Sequence, residues 1–272
     1  MGWPDGSSAS MRGGRAGKLV LDVYDTLICA VGAAVFVGSF VASSLLALPL
    51  RLLLPRRVAQ ELGRAIIMYG FRACLRYVTL TGRARLDLTE LDALREERGL
   101  IIAANHPALW DIALIVSRMP NLACIMKVDV ANNVLLFGAA ALAGYISNAS
   151  IHQMMRQAIA QLKEGDQLLI FPEGTRTVRQ PINALTSSIG VIASHAKAPI
   201  QTVFIETSST FLTKGRSLLK IPDLPLSVRV RLGRRFPPPT DARDFVDELE
   251  RYFIAELGAS HGANRTASAT NR

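Results

Sequence analysis

The chain has 272 residues, half of them apolar, with a net charge of +9 and a mean hydropathy of +0.26. That length holds one large core without requiring a second, and the positive hydropathy points to membrane contact rather than to a bundle of spans. The charge would suit anionic lipid, an acidic protein or nucleic acid, but aromatic residues make up only 6% of the chain and no nucleic-acid-binding motif occurs, which argues against nucleic acid. Cys29, Cys74 and Cys124 are far apart and odd in number, so neither a disulfide framework nor a zinc site follows. No histidine or carboxylate cluster has metal-ligand spacing, and no metal is expected. A reducing, cytoplasm-facing domain is the simplest setting.

In chain order, residues 1–26 are read as a disordered lead and 27–80 as membrane-anchoring helices. The run Leu27–Leu50 carries no charge and exceeds the roughly 20 residues of a span, although Gly32, Gly38 and Pro49 interrupt it. It reads as a transmembrane helix, with a re-entrant hairpin or in-plane helix as the alternative and a buried soluble helix as the third. After it come Arg51, Arg56, Arg57, Arg64, Arg72, Arg76, Arg83 and Arg85 against Glu61 alone. By the positive-inside rule this places the C-terminal side in the cytoplasm. Residues 58–80 form a second helix, with Leu62, Ile66, Tyr69, Ala73, Tyr77 and Leu80 as one apolar stripe. Arg57, Glu61, Arg64, Arg72 and Arg76 make a mostly basic stripe suited to lipid headgroups, with an ordinary amphipathic helix covering the core as the alternative.

Residues 81–257 read as the catalytic domain. Strands are expected near 85–88, 100–104, 122–127, 167–171, 199–206 and 227–232. Helices are expected near 90–97, 108–117, 133–142, 153–164, 187–196 and 241–257. The alternation gives an α/β fold: a mixed, mostly parallel sheet flanked by helices, preceded by the membrane-associated helical segment. Residues 258–272 are small and polar and read as a disordered tail. Sites in such sheets lie at the C-terminal ends of strands, and the two sharpest motifs fall there.

The first motif is Asn105-His106-Pro107-Ala108-Leu109-Trp110-Asp111. Histidine suits removal of a proton from a hydroxyl near neutral pH, and a carboxylate orients the ring and stabilises its charged form. Five positions along a regular helix turn about 500°, so the two side chains would point apart within one helix. His106 is therefore expected before the helix, with Pro107 at its first position and Asp111 one turn inside, reaching back. Free N–H groups at that helix start would offer an oxyanion site. The second motif is Phe171-Pro172-Glu173-Gly174-Thr175-Arg176. Gly174 allows close backbone approach, Thr175 can donate a hydrogen bond, Arg176 can clamp a phosphate, and Glu173 can position a hydroxyl or hold Arg176.

With both motifs in this order, the sequence resembles the lysophospholipid acyltransferase family over roughly residues 80–235. The resemblance implies acyl transfer from acyl-coenzyme A or acyl carrier protein to the hydroxyl of a lysophospholipid-type acceptor such as 1-acyl-glycerol-3-phosphate, in membrane lipid biosynthesis. It implies His106 as general base, Asp111 as its partner, acceptor binding by Glu173, Gly174 and Arg176, and no cofactor beyond the acyl donor. Lys127, Leu136-Phe137-Gly138 and Gly144-Tyr145-Ile146 look like a further family block, which makes Lys127 a candidate second phosphate contact. Two departures stand out. Ile146-Ser147-Asn148-Ala149-Ser150 lacks the arginine that often ends that block, and Thr202 stands where a second proline is usual. Both put the acceptor's identity in question. A hydrolase or transacylase using the same base is the rival enzyme reading. A non-enzymatic lipid-binding protein is disfavoured by the intact His106, Asp111 and Glu173. His152 and His195 read as structural.

Overall fold

The computed structural model describes residues 15–128, 134–207 and 225–270. Expectations for 1–14, for Asn133 and for 271–272 lie outside the described residues. Helices α1 (Arg15–Leu53) and α2 (Arg56–Leu80) lead into the strands β1 (Ala84–Asp87), β2 (Ile101–Ala104), β3 (Leu122–Met126), β4 (Ile146–Ser147), β5 (Gln167–Ile170), β6 (Ile200–Thr207) and β7 (Leu226–Phe236). Between and after them run α3 (Asp111–Val116), α4 (Val134–Leu142), α5 (Ile151–Lys163), α6 (Ser188–Ala196) and α7 (Ala242–Thr270).

The seven strands form one sheet in the order β1-β7-β6-β2-β5-β3-β4. All neighbours are parallel except β6 and β7. This is the mixed, mostly parallel sheet expected. Alternate side chains serve opposite faces, as the pleat requires. Ile102 and Ala104 of β2 join the core under α2 and α3, while Ile101 and Ala103 join the core under α5, α6 and α7. With both faces covered, β2 and β5 are apolar on both faces rather than alternating, apart from Gln167 at the start of β5. β2 and β5 are entirely buried.

Several elements differ from expectation. The segment after β1 is a 3-10 helix, Thr89–Leu94, rather than an α-helix. The segment 15–26, expected to be disordered, is helical and belongs to α1. The Tyr24 ring lies 5.2 Å from the Arg83 guanidinium, and the Tyr77 hydroxyl donates to Ile28 O at 2.9 Å, so tertiary contacts hold this end. The tail after Leu257, also expected to be disordered, continues α7 to Thr270. Asp241 caps that helix by accepting from the N–H groups of Arg243 and Asp244, and a nucleated helix propagates readily through small residues.

The transmembrane expectation is not upheld. Among the described residues no helix is long and apolar enough to cross a membrane. The charge-free run lies inside the 39-residue α1, which packs along α4 and α2. Gly138 sits so close to Ser44 that a Cβ would stand 2.6 Å from its Cα, and Gly32 is equally tight against Tyr77. Gly32 and Ser44, two of the small residues in the run, are thus contacts between helices, whereas Gly38 faces open space.

α2 is also turned relative to the expected stripe. Its buried face is Ala59, Gly63, Ile67, Met68, Phe71 and Leu75, whereas Leu62, Tyr69 and Leu80 point outward. Arg64, expected among lipid headgroups, is buried. Its guanidinium donates to Ala143 O at 3.0 Å, Asn121 Oδ1 at 2.8 Å and Asp166 Oδ2 at 2.7 Å. Arg72 donates to Ser117 O at 3.1 Å. Half of that basic stripe therefore docks α2 onto the sheet.

Candidate active site

β2 ends at Ala104, and Asn105 extends its pairing by side chain. Asn105 Nδ2 donates to Ile205 O at 3.0 Å, and its Oδ1 accepts from Ile205 N at 2.7 Å. The backbone is thereby free to leave the sheet at His106, where Pro107 disfavours a helical conformation in the residue before it. The dyad forms as expected: His106 Nδ1 and Asp111 Oδ2 are 2.9 Å apart. Its frame differs. α3 begins at Asp111 itself, so Pro107 lies in the loop and not at the first helical position. The reach back from Asp111 is fixed by a second bond, in which the same Oδ2 accepts from Ala108 N at 2.8 Å. One of the N–H groups expected to serve an oxyanion is thus already engaged.

Asp111 is fully buried and His106 retains 17% exposure, so the ring is the part of the pair that meets a substrate. Burial pushes the Asp111 carboxyl above the ordinary carboxylate range, and the His106 ring and the Ala108 N–H oppose this only in part. Its Oδ1 is buried without a partner among the described residues. As a carboxylate Asp111 can only accept, which places the ring proton on Nδ1 and leaves Nε2 with its lone pair for a substrate proton. The ring lies on Phe171, with centroids 4.0 Å apart and planes 17° apart.

The second motif meets the first, as the chain order required. β5 is the parallel neighbour of β2, so the loop after Phe171 lies beside the loop after Asn105. Glu173 is buried and holds that junction. Its Oε1 accepts from His106 N at 3.0 Å and from the Thr177 hydroxyl at 2.7 Å, and its Oε2 accepts from Asn183 N at 2.9 Å. The Thr177 N–H donates to His106 O at 2.8 Å, so the backbone of His106 is gripped on both sides. Neither Thr177 nor Asn183 stood out in the sequence, because isolated Thr and Asn in a loop carry no spacing signal. Gly174 has φ +66°, a conformation that strains other residues, so a turn accounts for the glycine without a ligand. Thr175 and Arg176 follow on the same loop, both partly exposed.

Lys127 follows β3 directly and is exposed at the same edge of the sheet. The order β2-β5-β3 puts it about 10 Å along that edge from the end of β2, at about 4.8 Å per strand. Asn148 brackets it: Asn148 N donates to Met126 O at 3.0 Å, and Asn148 Oδ1 accepts from Val128 N at 2.9 Å. Three other residues of that block have a structural account, while the side chains of Leu136 and Phe137 lie outside the described residues. Gly138 is a helix contact, Gly144 has φ +72°, and Tyr145 is half-buried beside Cys124, whose thiol burial raises to about 12.

Thr202 also finds a structural account. Its hydroxyl donates to Arg234 O at 2.8 Å, where the β6–β7 register shifts, and it lies level with Ala103 inside the sheet. His195, expected to be structural, bonds Val191 O within α6 at 2.9 Å.

Residues 85–206, which hold both motifs, match the Acyltransferase family model. No curated protein sequence matches the chain. Among solved structures, the fold is similar to that of the 1-acyl-sn-glycerophosphate (LPA) acyltransferase PlsC from Thermotoga maritima. The TM-score is 0.70 at 18% identity, over 88% of this chain and 97% of that one. The matched domain, with a His–Asp dyad at the end of a central strand, makes the chain an acyltransferase. The match covers the domain that carries both motifs, and its description, Acyltransferase, agrees with the resemblance that those motifs carry.

Proposed function

We propose that the chain moves an acyl group from a thioester, on coenzyme A or acyl carrier protein, to the hydroxyl of a glycerolipid acceptor carrying a phosphate, such as a 1-acyl-glycerol-3-phosphate. The observation that carries this reading is the 2.9 Å contact between His106 and Asp111 beside the Glu173 loop. His106 Nε2 takes the acceptor's hydroxyl proton as its oxygen attacks the thioester carbonyl carbon. The tetrahedral intermediate collapses, the C–S bond breaks, and the leaving thiolate recovers the proton from the imidazolium. Ester and thiol result, with no covalent enzyme intermediate. Asp111 fixes the tautomer and offsets the charge that develops on the ring.

Arg176 and Lys127 are the cations that the sequence and the sheet edge offer to the phosphate, Arg176 in a bidentate geometry and Lys127 as a point charge. The Glu173 carboxylate accepts from three protein groups, which favours a role in holding the base over one in binding the acceptor. The acceptor and the donor's acyl chain come from the membrane surface. In support, α1 leaves Val23, Leu27, Val31 and Val35 exposed, and α2 adds Tyr69 and Leu80. This is peripheral contact with the inner membrane and replaces the span.

Purified protein given acyl-coenzyme A and lysophosphatidate should release thiol only while acceptor is present. Equal release into water alone would make the chain a thioester hydrolase and defeat the reading.

A further inference from the structure

The segment between β5 and α6 is a closed loop. At its base, the N–H and hydroxyl of Thr186 both donate to Pro172 O, at 2.8 and 3.0 Å. Further in, the Ile182 side chain is buried in the core. Next to Ile182 stands Asn183, and it binds the loop at four points. Its N–H donates to Glu173 Oε2 at 2.9 Å, and its Nδ2 donates to Arg176 O at 3.1 Å. Its Oδ1 accepts from the N–H groups of Val178 and Arg179, each at 3.0 Å. Thr177, between the residues so held, is tied to the base through His106 O and Glu173 Oε1.

We infer that Asn183 is a positioning residue for acceptor binding: it sets where Arg176 stands relative to His106. This rests on the reading in which Arg176 meets the acceptor's phosphate. The side chain closes a turn that the backbone alone leaves open, with a donor and an acceptor on one planar amide facing opposite backbone groups. Aspartate offers acceptors only and would set a carboxylate against Arg176 O. Alanine offers neither. Neither change touches the reacting atoms, so the chemical step survives while the acceptor's anionic group loses its place.

The test uses the full chain with acyl-coenzyme A and lysophosphatidate, in wild type, Asn183→Ala and Asn183→Asp. Steady-state constants are measured alongside hydrogen–deuterium exchange of the loop. In Asn183→Ala the acceptor KM should rise about tenfold, with kcat and the donor KM within about threefold. The amides of residues 177–179 should exchange faster, while those of β2 stay as protected as in wild type. In Asn183→Asp the Val178 and Arg179 amides should stay protected, yet the acceptor KM should still rise, because the bond to Arg176 O is lost. A parallel loss in donor KM, acceptor KM and kcat would show a merely structural residue and overturn the inference. So would an unchanged acceptor KM or unchanged exchange in Asn183→Ala. If wild type itself transfers to no phosphate-bearing acceptor, the reading of function fails first, visibly in wild type alone, and the inference falls with it.

Discussion

At the scale of single residues, the unusual group is Asp111, a carboxylate with no exposure, one oxygen engaged twice and the other unpaired. Such a group costs stability when ionised, because burial favours its neutral form. The sign follows from linkage. A carboxyl raised in the folded state contributes stability below its unfolded value of about 3.9 and loses it as pH rises through the folded value. At pH 8 Asp111 is therefore a liability to the fold, kept for the imidazole. Asp111→Asn should leave the melting temperature at pH 8 unchanged or higher. With its oxygen in the place of Oδ2 the amide still accepts from the Ala108 N–H and from Nδ1, but it no longer carries the charge that offsets the imidazolium, so kcat should fall by about 100-fold or more. A clear fall in melting temperature at pH 8, read by scanning calorimetry, would contradict this account of the charge. The partnership of His106 and Asp111 was legible in the sequence only with the second motif, Phe171–Arg176, beside it, because their residue types and spacing alone also suit a polar strand end. The place of the helix start was not, because Pro107 carries the signal of a first helical position while the competing bond, Asp111 to Ala108 N, exists only in the folded loop.

Elements were legible as apolar stripes on helices and as short apolar runs for the strands buried on both faces. β2, β5, β6, α5 and α6 appear close to where periodicity puts them. α2 shows the limit of that reasoning: it has two apolar faces, and hydrophobicity alone cannot say which meets the sheet. The deciding contact is Arg64, whose guanidinium fits among Asp166, Asn121 and Ala143 O and turns the Ile67–Phe71–Leu75 face inward. A buried pair adds little over a well-packed apolar one, but breaking it leaves a buried charge alone. Arg64→Met should lower stability by about 3–5 kcal/mol in denaturant titration. Arg64→Met with Asp166→Leu should recover most of that loss. A single substitution costing under about 1 kcal/mol would mean that this contact does not dock the helix. β4 and the extension of α7 to Thr270 were missed for the opposite reason. A two-residue strand is too short to carry a period, and a helix rich in small residues resembles a polar tail.

For the molecule as a whole, the site lies at one edge of the sheet, where β2, β3 and β5 release His106, Lys127 and the Glu173 loop side by side. That edge was legible from the alternation of strands and helices. The manner of membrane contact was not, since a charge-free run reads alike whether it spans a bilayer or lies along other helices. Replacing Leu27 and Val31, both more than half exposed, by Gln should weaken binding to anionic vesicles about tenfold in co-sedimentation while leaving unfolding unchanged. Unaltered vesicle binding would place the contact elsewhere. The central claim is that His106 takes the proton from the acceptor's hydroxyl. The most direct measurement is mass spectrometry of the lipid formed when wild-type and His106→Ala protein receive the same acyl-thioester and lysophosphatidate. Wild type should yield the diacylated product. The variant, equally folded by circular dichroism, should yield it at least about 10³-fold more slowly, and product formed at the wild-type rate would contradict the account.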